Sequence, residues 1–591
     1  MLKLLASLFF PMQLCFATTI YVTTDKIVTD SSKTGGTHYL FDEKELQKNG
    51  GDLRALLKTI PGIHIPSTGG GTQSIFSRGS NSNHTTVLLD DIPIIDPSSP
   101  SEAVDLSQVP LEGVEKIEIA MGPQSVLYGS GAVGAVIKIT TKNSGQDKKT
   151  IEGAISNRNS FFIRPSLISN KSSSSLKLSY DKERSHFKSG VEKDEINTAV
   201  FNFGKRYSLF KNKGDFSIKL IHQKLDLDEF AVDDANKKQT QTNIHLSQKV
   251  NYIDKKSFFE LDLITGFSYF SRKDIDEQDI NDSKYEATLT RGHHLFLSLP
   301  AKFYINENNT LLAGVDLSYL ENHSTHLSLR KNTRSLTGIY LLHKFEDGGF
   351  FTSTGIREEL HSNKKNIFTY KLAPGYSITP TGTTFKASIS RSFKSPTLHQ
   401  LYHPTSGNNR LQPEKATSGE ISLSQDILDV FSTSITHFQT NYTDLISFGP
   451  APDYINGNVS KAKVSGYEFM VNTKNFNHQS YLEFSYEKIS AKDLTTNKNL
   501  VRRPFENLNF NLYHHISSTM VSIINSYLGP REDYAADNNQ HRMGGIFKTD
   551  LFLKKGNYYL NIENIFDKDY VLVPTYTEKR RTFTIGMRKA F

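Results

Sequence analysis

From Thr150 to Phe591 the chain repeats one pattern: segments of about ten residues that alternate apolar and polar, separated by turn-forming or polar stretches. In one segment Phe259, Leu261, Leu263, Phe267 and Tyr269 share a face, and Glu260, Asp262, Gly266 and Ser268 share the other. In another, Tyr558, Leu560 and Ile562 oppose Asn557, Tyr559, Asn561 and Glu563. The last sets Phe583, Ile585, Met587 and the terminal Phe591 against Thr582, Thr584, Gly586, Arg588 and Ala590. A period of two puts successive side chains on opposite faces of a strand. A soluble sandwich shows the same alternation, so scale decides between the two. No helical segment interrupts the run, and sandwiches rarely extend so far as one unit. At roughly 20 residues per strand and connection it holds about 22 strands, which predicts an all-β fold: a transmembrane antiparallel barrel whose lumen is wide enough to need a plug.

Composition narrows the alternatives. Beyond the first residues of the 591, no run of 18 apolar residues occurs, which excludes a helical membrane protein. Lys and Arg number 69 against 62 Asp and Glu, a net charge of +7. No basic block of five or more accompanies that excess, so nucleic-acid binding has little support. The 26 Tyr and 38 Phe suit two interfacial girdles, although such belts without any Trp are unusual. Residues 1–17 read as a secretory signal, with Lys3, an apolar stretch from Leu4 to Phe16, and cleavage after Ala17. The single cysteine, Cys15, falls inside it, so the mature chain has no thiol for a disulfide, a nucleophile or a zinc site. No Gly-x-Ser-x-Gly motif is present either, and the chain does not read as an enzyme.

Between signal and barrel lie two further units. Residues 18–51 are polar and linker-like, interrupted by the extended Thr19–Thr24, which suits addition to a partner's sheet edge or an ordinary N-terminal strand. Residues 52–142 are mixed α/β. Asp52 can cap a short helix carrying Leu53, Leu56 and Leu57, which Pro61-Gly62 stops. Strand candidates follow at Thr86–Leu89, Val114–Ala120 and Ala135–Thr141. This unit is the expected plug. Gly122, Gly129, Gly131 and Gly134 suit tight positive-φ turns within it. Arg78 and Glu118 are candidates to pair with opposite charges across the plug and lumen wall, solvated charge being the alternative.

Several long motifs in this order resemble the TonB-dependent outer-membrane transporter family. In the plug they are Asp52-Leu53 to Ile60-Pro61-Gly62, Ile75-Phe76-Ser77-Arg78-Gly79, Val87-Leu88-Leu89-Asp90, Val114-Glu115-Lys116-Ile117-Glu118, Gly122-Pro123, Leu127-Tyr128-Gly129 and Ala132 to Ile137. In the barrel they are Ser392 to Thr397, Leu411 to Lys415 and Asn564 to Tyr570. Met121, Asp91 and Ala135 depart from the family pattern, where an arginine and two glycines are usual. The resemblance implies a 22-stranded barrel with its plug in the lumen, in the outer membrane of a Gram-negative bacterium. It further implies active import of a scarce metal chelate, driven by the TonB energy-coupling protein at the periplasmic side. Ile75 to His84, Asp105 to Gln108, Thr337 to Leu341, Leu398 to Tyr402 and Ser460 to Gly466 resemble the cobalamin (vitamin B12) branch, with ferric siderophore and haem receptors as alternatives.

The resemblance also assigns roles. Ile20, Tyr21, Val22, Thr23 and Thr24 would be the TonB box. Thr72, Gln73, Ser74, Ser98, Ser99 and Ser101 would meet the ligand at the extracellular tips of the plug, where small polar groups suit a corrinoid's amide rim. Arg78, Gly79, Asp90, Glu118, Gly122, Gly129 and Gly134 would be structural in the plug. Asp226, Asp228, Asp233, Asp234 and Asp276 belong to acidic clusters that would bind calcium in extracellular loops or, alternatively, carry solvated charge. His399 and His403 lie where haem receptors place a ligating histidine. No covalent cofactor is expected. A passive porin or an adhesin fits less well, since neither calls for a plug.

Overall fold

The computed structural model describes residues 21–27, 29–48, 53–66, 73–109, 113–182, 194–209, 212–227, 237–254, 258–276, 286–325, 332–362, 364–427, 430–448, 455–473, 480–534, 539–574, 576 and 578–591. Twenty-two strands, from Lys148–Ser156 to Thr582–Ala590, close into an antiparallel barrel in which each pairs with its neighbours along the chain. The last strand returns to the first, with Ile155 opposite Ile585 and Thr150 opposite Ala590. Closure leaves no strand edge unpaired, the condition for crossing a bilayer with strands.

Alternation fixes which face is which. Leu263 and Ile585 are 40 % and 60 % exposed on the outer wall, while Asp262 and Ser268 are buried in the lumen. Two-residue turns at 307–308, 348–349, 517–518 and 556–557 join strands at one end. Long connections at 395–413, 494–505, 529–545 and 564–581 crowd the other. Short turns mark the periplasmic end of such a barrel and long loops the extracellular end.

The lumen holds the plug. Its elements are β1 (Tyr21–Val22), β2 (Thr29–Asp30), β3 (His38–Asp42), α1 (Glu43–Lys48), α2 (Leu53–Lys58), β4 (Ile63–His64), β5 (Phe76–Ser77), β6 (Thr85–Leu89), β7 (Ile92–Pro93), β8 (Val114–Met121), α3 (Ser125–Tyr128) and β9 (Ala135–Thr141). A five-stranded sheet runs in the order β3-β8-β9-β6-β7, with β6 and β9 parallel. Leu53, Leu56 and Leu57 share one face of α2 through their i, i+3, i+4 spacing and are fully buried against Val87, Ile117, Ile119, Ile137 and Ile139 of that sheet. Gly62, at φ +83°, turns the chain after the helix. Asp52, the expected cap, lies outside the described residues.

The sheet takes its edge strand β3 from residues 38–42, inside the stretch that reads as linker. The plug therefore starts earlier than the composition shift at Asp52 suggests. Polar flanking residues mask the boundary: β3 is only five residues long, pairs on one side only, through Tyr39 opposite Ile119 and Phe41 opposite Ile117, and remains half-exposed.

Candidate functional site at the plug and lumen wall

Small apolar clusters join the plug to the wall, Val133 with Ala416, Phe438 and Val464 among them, and between these the contacts are charged. Arg78, in the left-handed region at φ +45°, aims its guanidinium at the wall. Its Nε and Nη2 donate to both oxygens of Glu468, at 2.7 and 2.6 Å, and Nη1 donates to Glu420 at 2.5 Å. Thr37 joins by accepting from Nη2 and donating to Glu420, and the guanidinium stacks 4.7 Å above Phe438. Arg78 and Glu468 are buried and the Glu420 side chain is 9 % exposed. Glu420 and Glu468 alone would repel in a site shielded from water, and the bidentate arginine reverses that balance. The expected Arg78 contact across the wall is present.

Glu118 differs from expectation. It is fully buried but meets no barrel cation among the described residues: it accepts from Lys116 of its own strand at 2.6 Å and from Thr23 at 2.8 and 3.1 Å. Strand parity explains this, because Lys116 and Glu118 lie on the same face of β8. Asp90 instead reaches the wall, pairing with Lys219 and accepting from Ser217 at 3.0 Å while also bonding Thr141 of β9. Asp90 and Asp91 form the β6–β7 turn at φ +50° and +70°. Aspartate is among the few residues that tolerate this region, so Asp91 keeps the turn that glycine makes elsewhere. It also adds charge contacts, to Lys138 at 2.6 Å and Lys249 of the barrel at 3.0 Å. Burial works to raise the Asp91 pKa, yet these two lysines hold it well below the usual carboxylate range.

The glycines divide by cause. Gly122, Gly129 and Gly131 have positive φ, as expected for turns, and so does Gly79. Gly134 does not; a Cβ there would collide with the hydroxyls of Ser77 and Ser80, so space and not conformation excludes a side chain.

The segment expected to bind TonB is folded into the lumen. Tyr21 and Val22 pair with Asp30 and Thr29 in the small β1–β2 hairpin, while Ile20 lies outside the described residues. Tyr128 donates to the carbonyl of buried Thr24 at 2.7 Å, and Lys138 donates to Thr23 Oγ1 at 3.1 Å. The fully buried Asp25 faces Lys371 at 3.6 Å and Lys344 at 3.9 Å. Lys26 reaches Asp316 at 3.4 Å and the Tyr340 hydroxyl at 3.0 Å. Burial works to raise the Asp25 pKa, but Lys371 and Lys344 outweigh it and hold the carboxylate ionised.

At the extracellular apex the second plug loop touches the wall on several sides. Glu102 accepts from Arg334 at 2.7 Å and from the Leu398 N–H at 2.9 Å, with Lys394 at 3.6 Å. Asn322 donates to the Pro97 carbonyl, Arg272 pairs with Asp96, and Thr397 donates to the Pro100 carbonyl. Of the expected ligand residues, Ser98 is buried and donates to Asp96, and Ser101 accepts from the Ala103 N–H. Ser99 is half-buried beside them. The Gln73 N–H donates to Asp105 at 2.9 Å, tying the first loop to the second, and the Ser74 N–H donates to Pro66. Thr72 lies outside the described residues. Sequence reasoning missed Glu102, Arg334, Glu420 and Lys219. Their available signal was a charge on the lumen-facing parity of a barrel strand, or on a buried loop, which demands a counter-charge.

Among the acidic candidates, Asp226 accepts from the Glu195 N–H at 2.8 Å and Asp276 lies 3.5 Å from Lys237. Asp228, Asp233 and Asp234 fall outside the described residues. Among the described residues no three Asp, Glu, His or Cys side chains converge as a metal cage would need. His399, on the short helix α4 (Leu398–Tyr402), and His403, which caps its C-terminus, lie with ring centroids 4.3 Å apart and planes tilted by 35°. Nδ1 of His403 accepts from the Ser406 N–H at 3.2 Å, which leaves the proton on Nε2 and makes that atom a poor ligand for iron.

Comparison with known proteins agrees with this architecture. The family model described as TonB dependent receptor-like, beta-barrel matches residues 142–566, and the TonB-dependent Receptor Plug Domain matches residues 30–136. The chain is 25 % identical over 567 residues to the vitamin B12 transporter BtuB of Photobacterium profundum, covering 90 % of this chain and 88 % of that one. It is 24 % identical over 609 residues to the namesake in Vibrio cholerae, covering 97 % and 95 %. Among solved structures it resembles the siderophore receptor PirA of Acinetobacter baumannii (TM-score 0.78, 16 % identity, 97 % and 100 % covered). It also resembles the ferric enterobactin receptor PfeA of Pseudomonas aeruginosa (TM-score 0.77, 17 % identity, 95 % and 100 % covered). At such identities the structures speak for the fold. With both family models matched in order over most of its length, the chain belongs to the TonB-dependent receptors, the plugged barrels of the Gram-negative outer membrane.

Proposed function

We propose that this TonB-dependent transporter imports cobalamin. The observation that carries this reading is the end-to-end alignment with vitamin B12 transporters, plug and barrel together, covering 88 to 95 % of those relatives. The apex is compatible with it: Ser99, Ser101, Gln73 and Ser74 supply small uncharged donors and acceptors, and Asp96 and Glu102 are already paired to the wall. An uncharged polar rim suits the amide-rich periphery of a corrinoid better than a highly charged chelate.

In this account ligand arrives at the two apical loops, which are joined by the Gln73–Asp105 hydrogen bond. TonB adds as a strand to the segment around Val22 from the periplasm, replacing the β1–β2 pairing. Pulling on that segment removes Asp25 and Lys26 from their partners on the wall and opens a path beside the plug. Asp25 is held by ion pairs longer than hydrogen bonds, so its release breaks no short contact.

The test is binding of cyanocobalamin to the purified protein in detergent, with and without millimolar calcium, and with haem and ferric siderophores as competitors. Tight binding of cyanocobalamin that neither competitor displaces is expected. Absence of binding under both conditions overturns the cobalamin reading, and the competitor that binds names the substrate. Strengthening by calcium would assign the acidic loops that role, and no effect would remove it.

A further inference from the structure

Between α2 and the barrel wall lies a cavity of about 160 Å³ that neither the apex nor the Arg78 contacts use. Arg54 and Lys58, one turn apart on α2, line it from the plug, with His64 of β4 beside them. Strands Ile546–Lys555 and Tyr558–Glu563 form its wall, and the connection 564–581 closes it on the extracellular side. Lys579 of that connection has a side chain 36 % exposed, so the cavity meets solvent there.

The other cations of the cavity are matched. Arg54 pairs with Glu578 at 3.0 Å, Lys548 with Asp550 at 3.0 Å and Lys579 with Asp181 at 2.9 Å. Glu563 faces Lys548, Lys579 and Arg54 ahead of Lys58. The side-chain nitrogen of Lys58 makes no hydrogen bond and no ion pair among the described residues. An ammonium withdrawn from water, with no anion against it and a guanidinium one turn away, sheds its proton readily. Burial is the largest influence and Arg54 adds to it while Glu578 opposes, so the amine is pushed down to about 7. His64 is the second open group: it is 8 % exposed and its Nε2 has no partner. A buried ring nitrogen in that state is costly until something brings a hydrogen bond to it.

A neutral amine is a nucleophile toward carbonyl carbon, and a cavity of this size holds a molecule of up to about six non-hydrogen atoms. We propose that the cavity takes small α-hydroxyaldehydes from the extracellular side and holds them on Lys58 as a reversible imine. The amine nitrogen attacks the aldehyde carbon, and the carbonyl oxygen takes up a proton that the nitrogen gives, forming a carbinolamine. The hydroxyl then leaves with the second nitrogen proton as water, and the C=N bond remains. No electron is gained or lost, so no oxidant or reductant is needed. The α-hydroxyl of the aldehyde meets Nε2 of His64.

The test uses the full chain, purified in detergent at pH 7 and treated briefly with glycolaldehyde and cyanoborohydride, which fixes an imine as a stable secondary amine. Peptide mapping by mass spectrometry then ranks the lysines. Lys58 should be modified at least about tenfold faster than Lys224 and Lys273, exposed lysines of the barrel, because a larger fraction of it is neutral. Propionaldehyde has the same number of non-hydrogen atoms but no hydroxyl, and with it the lead of Lys58 over Lys224 should shrink. Modification of Lys58 no faster than of the exposed lysines overturns the proposal and needs no variant. An equal lead with both aldehydes overturns the part given to His64. Lys58→Gln should remove the fast-reacting site, and an undiminished fast phase in that variant overturns the assignment to Lys58.

Discussion

Arg78 shows how one residue can seat a domain. Truncating it to Met leaves Glu420 and Glu468 buried side by side without a counter-charge, a loss of about 3–5 kcal/mol for breaking a buried pair from one side. Because each barrel strand is held by its neighbours, the barrel should still close and show heat-dependent gel mobility, while the plug becomes sensitive to limited proteolysis. Adding Glu420→Gln and Glu468→Gln to the Met variant should recover much of the resistance by removing the stranded charge. Histidine 38 sets a pH dependence at the same scale. Burial pushes its imidazole down to about 4, Asp25 opposing and Lys371 assisting, so it sits neutral in the folded plug. An unfolded imidazole takes up its proton near the ordinary value of 6.5. Seating therefore weakens as pH falls from about 6.5 to 4 and levels off below, and His38→Gln should flatten that slope in a proteolysis titration.

At the scale of elements, the β1–β2 hairpin is the part expected to move. The sequence's single cysteine is Cys15, so in a Cys15→Ser background Val22→Cys reports access to the segment without a competing thiol. Labelling should be slow in the wild-type background and faster with Asp25→Asn, which leaves Lys344 and Lys371 facing a neutral group. Proline at Val22 removes a backbone donor needed for strand addition, and should stop transport while leaving ligand binding intact. Period and spacing made much of this level legible beforehand. The strands Val114–Met121 and Ala135–Thr141 and the helix with Leu53, Leu56 and Leu57 stand where apolar patterning places them. Strand β3 does not announce itself because its partner β8 lies far along the chain, Tyr39 opposite Ile119, and the hairpin does not because its two strands are only two residues each. The Arg78 clamp was half legible: a buried-looking arginine suggests an acid, but only the three-dimensional register selects Glu420 and Glu468 over other acids of the barrel. Asp25 and Lys26 carry no local signal, since their partners Lys371 and Asp316 lie some 300 residues away.

For the whole molecule, the barrel makes a hole and the plug closes it with charge contacts that are individually reversible. At the periplasmic end Asp25 and Lys26 hold the N-terminal segment, in the middle Arg78, Asp90 and Asp91 hold the sheet, and at the apex Asp96 and Glu102 hold the apical loop. Such a structure is shut at rest and needs work done on it to pass a large solute. The most direct test is uptake of radiolabelled cyanocobalamin by cells whose own receptor has been deleted. With this chain supplied, label should accumulate only when TonB is present, and not with the Val22→Pro variant. Equal accumulation with and without TonB would contradict the account, because the barrel would then be an open pore and the plug's charge contacts would not govern passage.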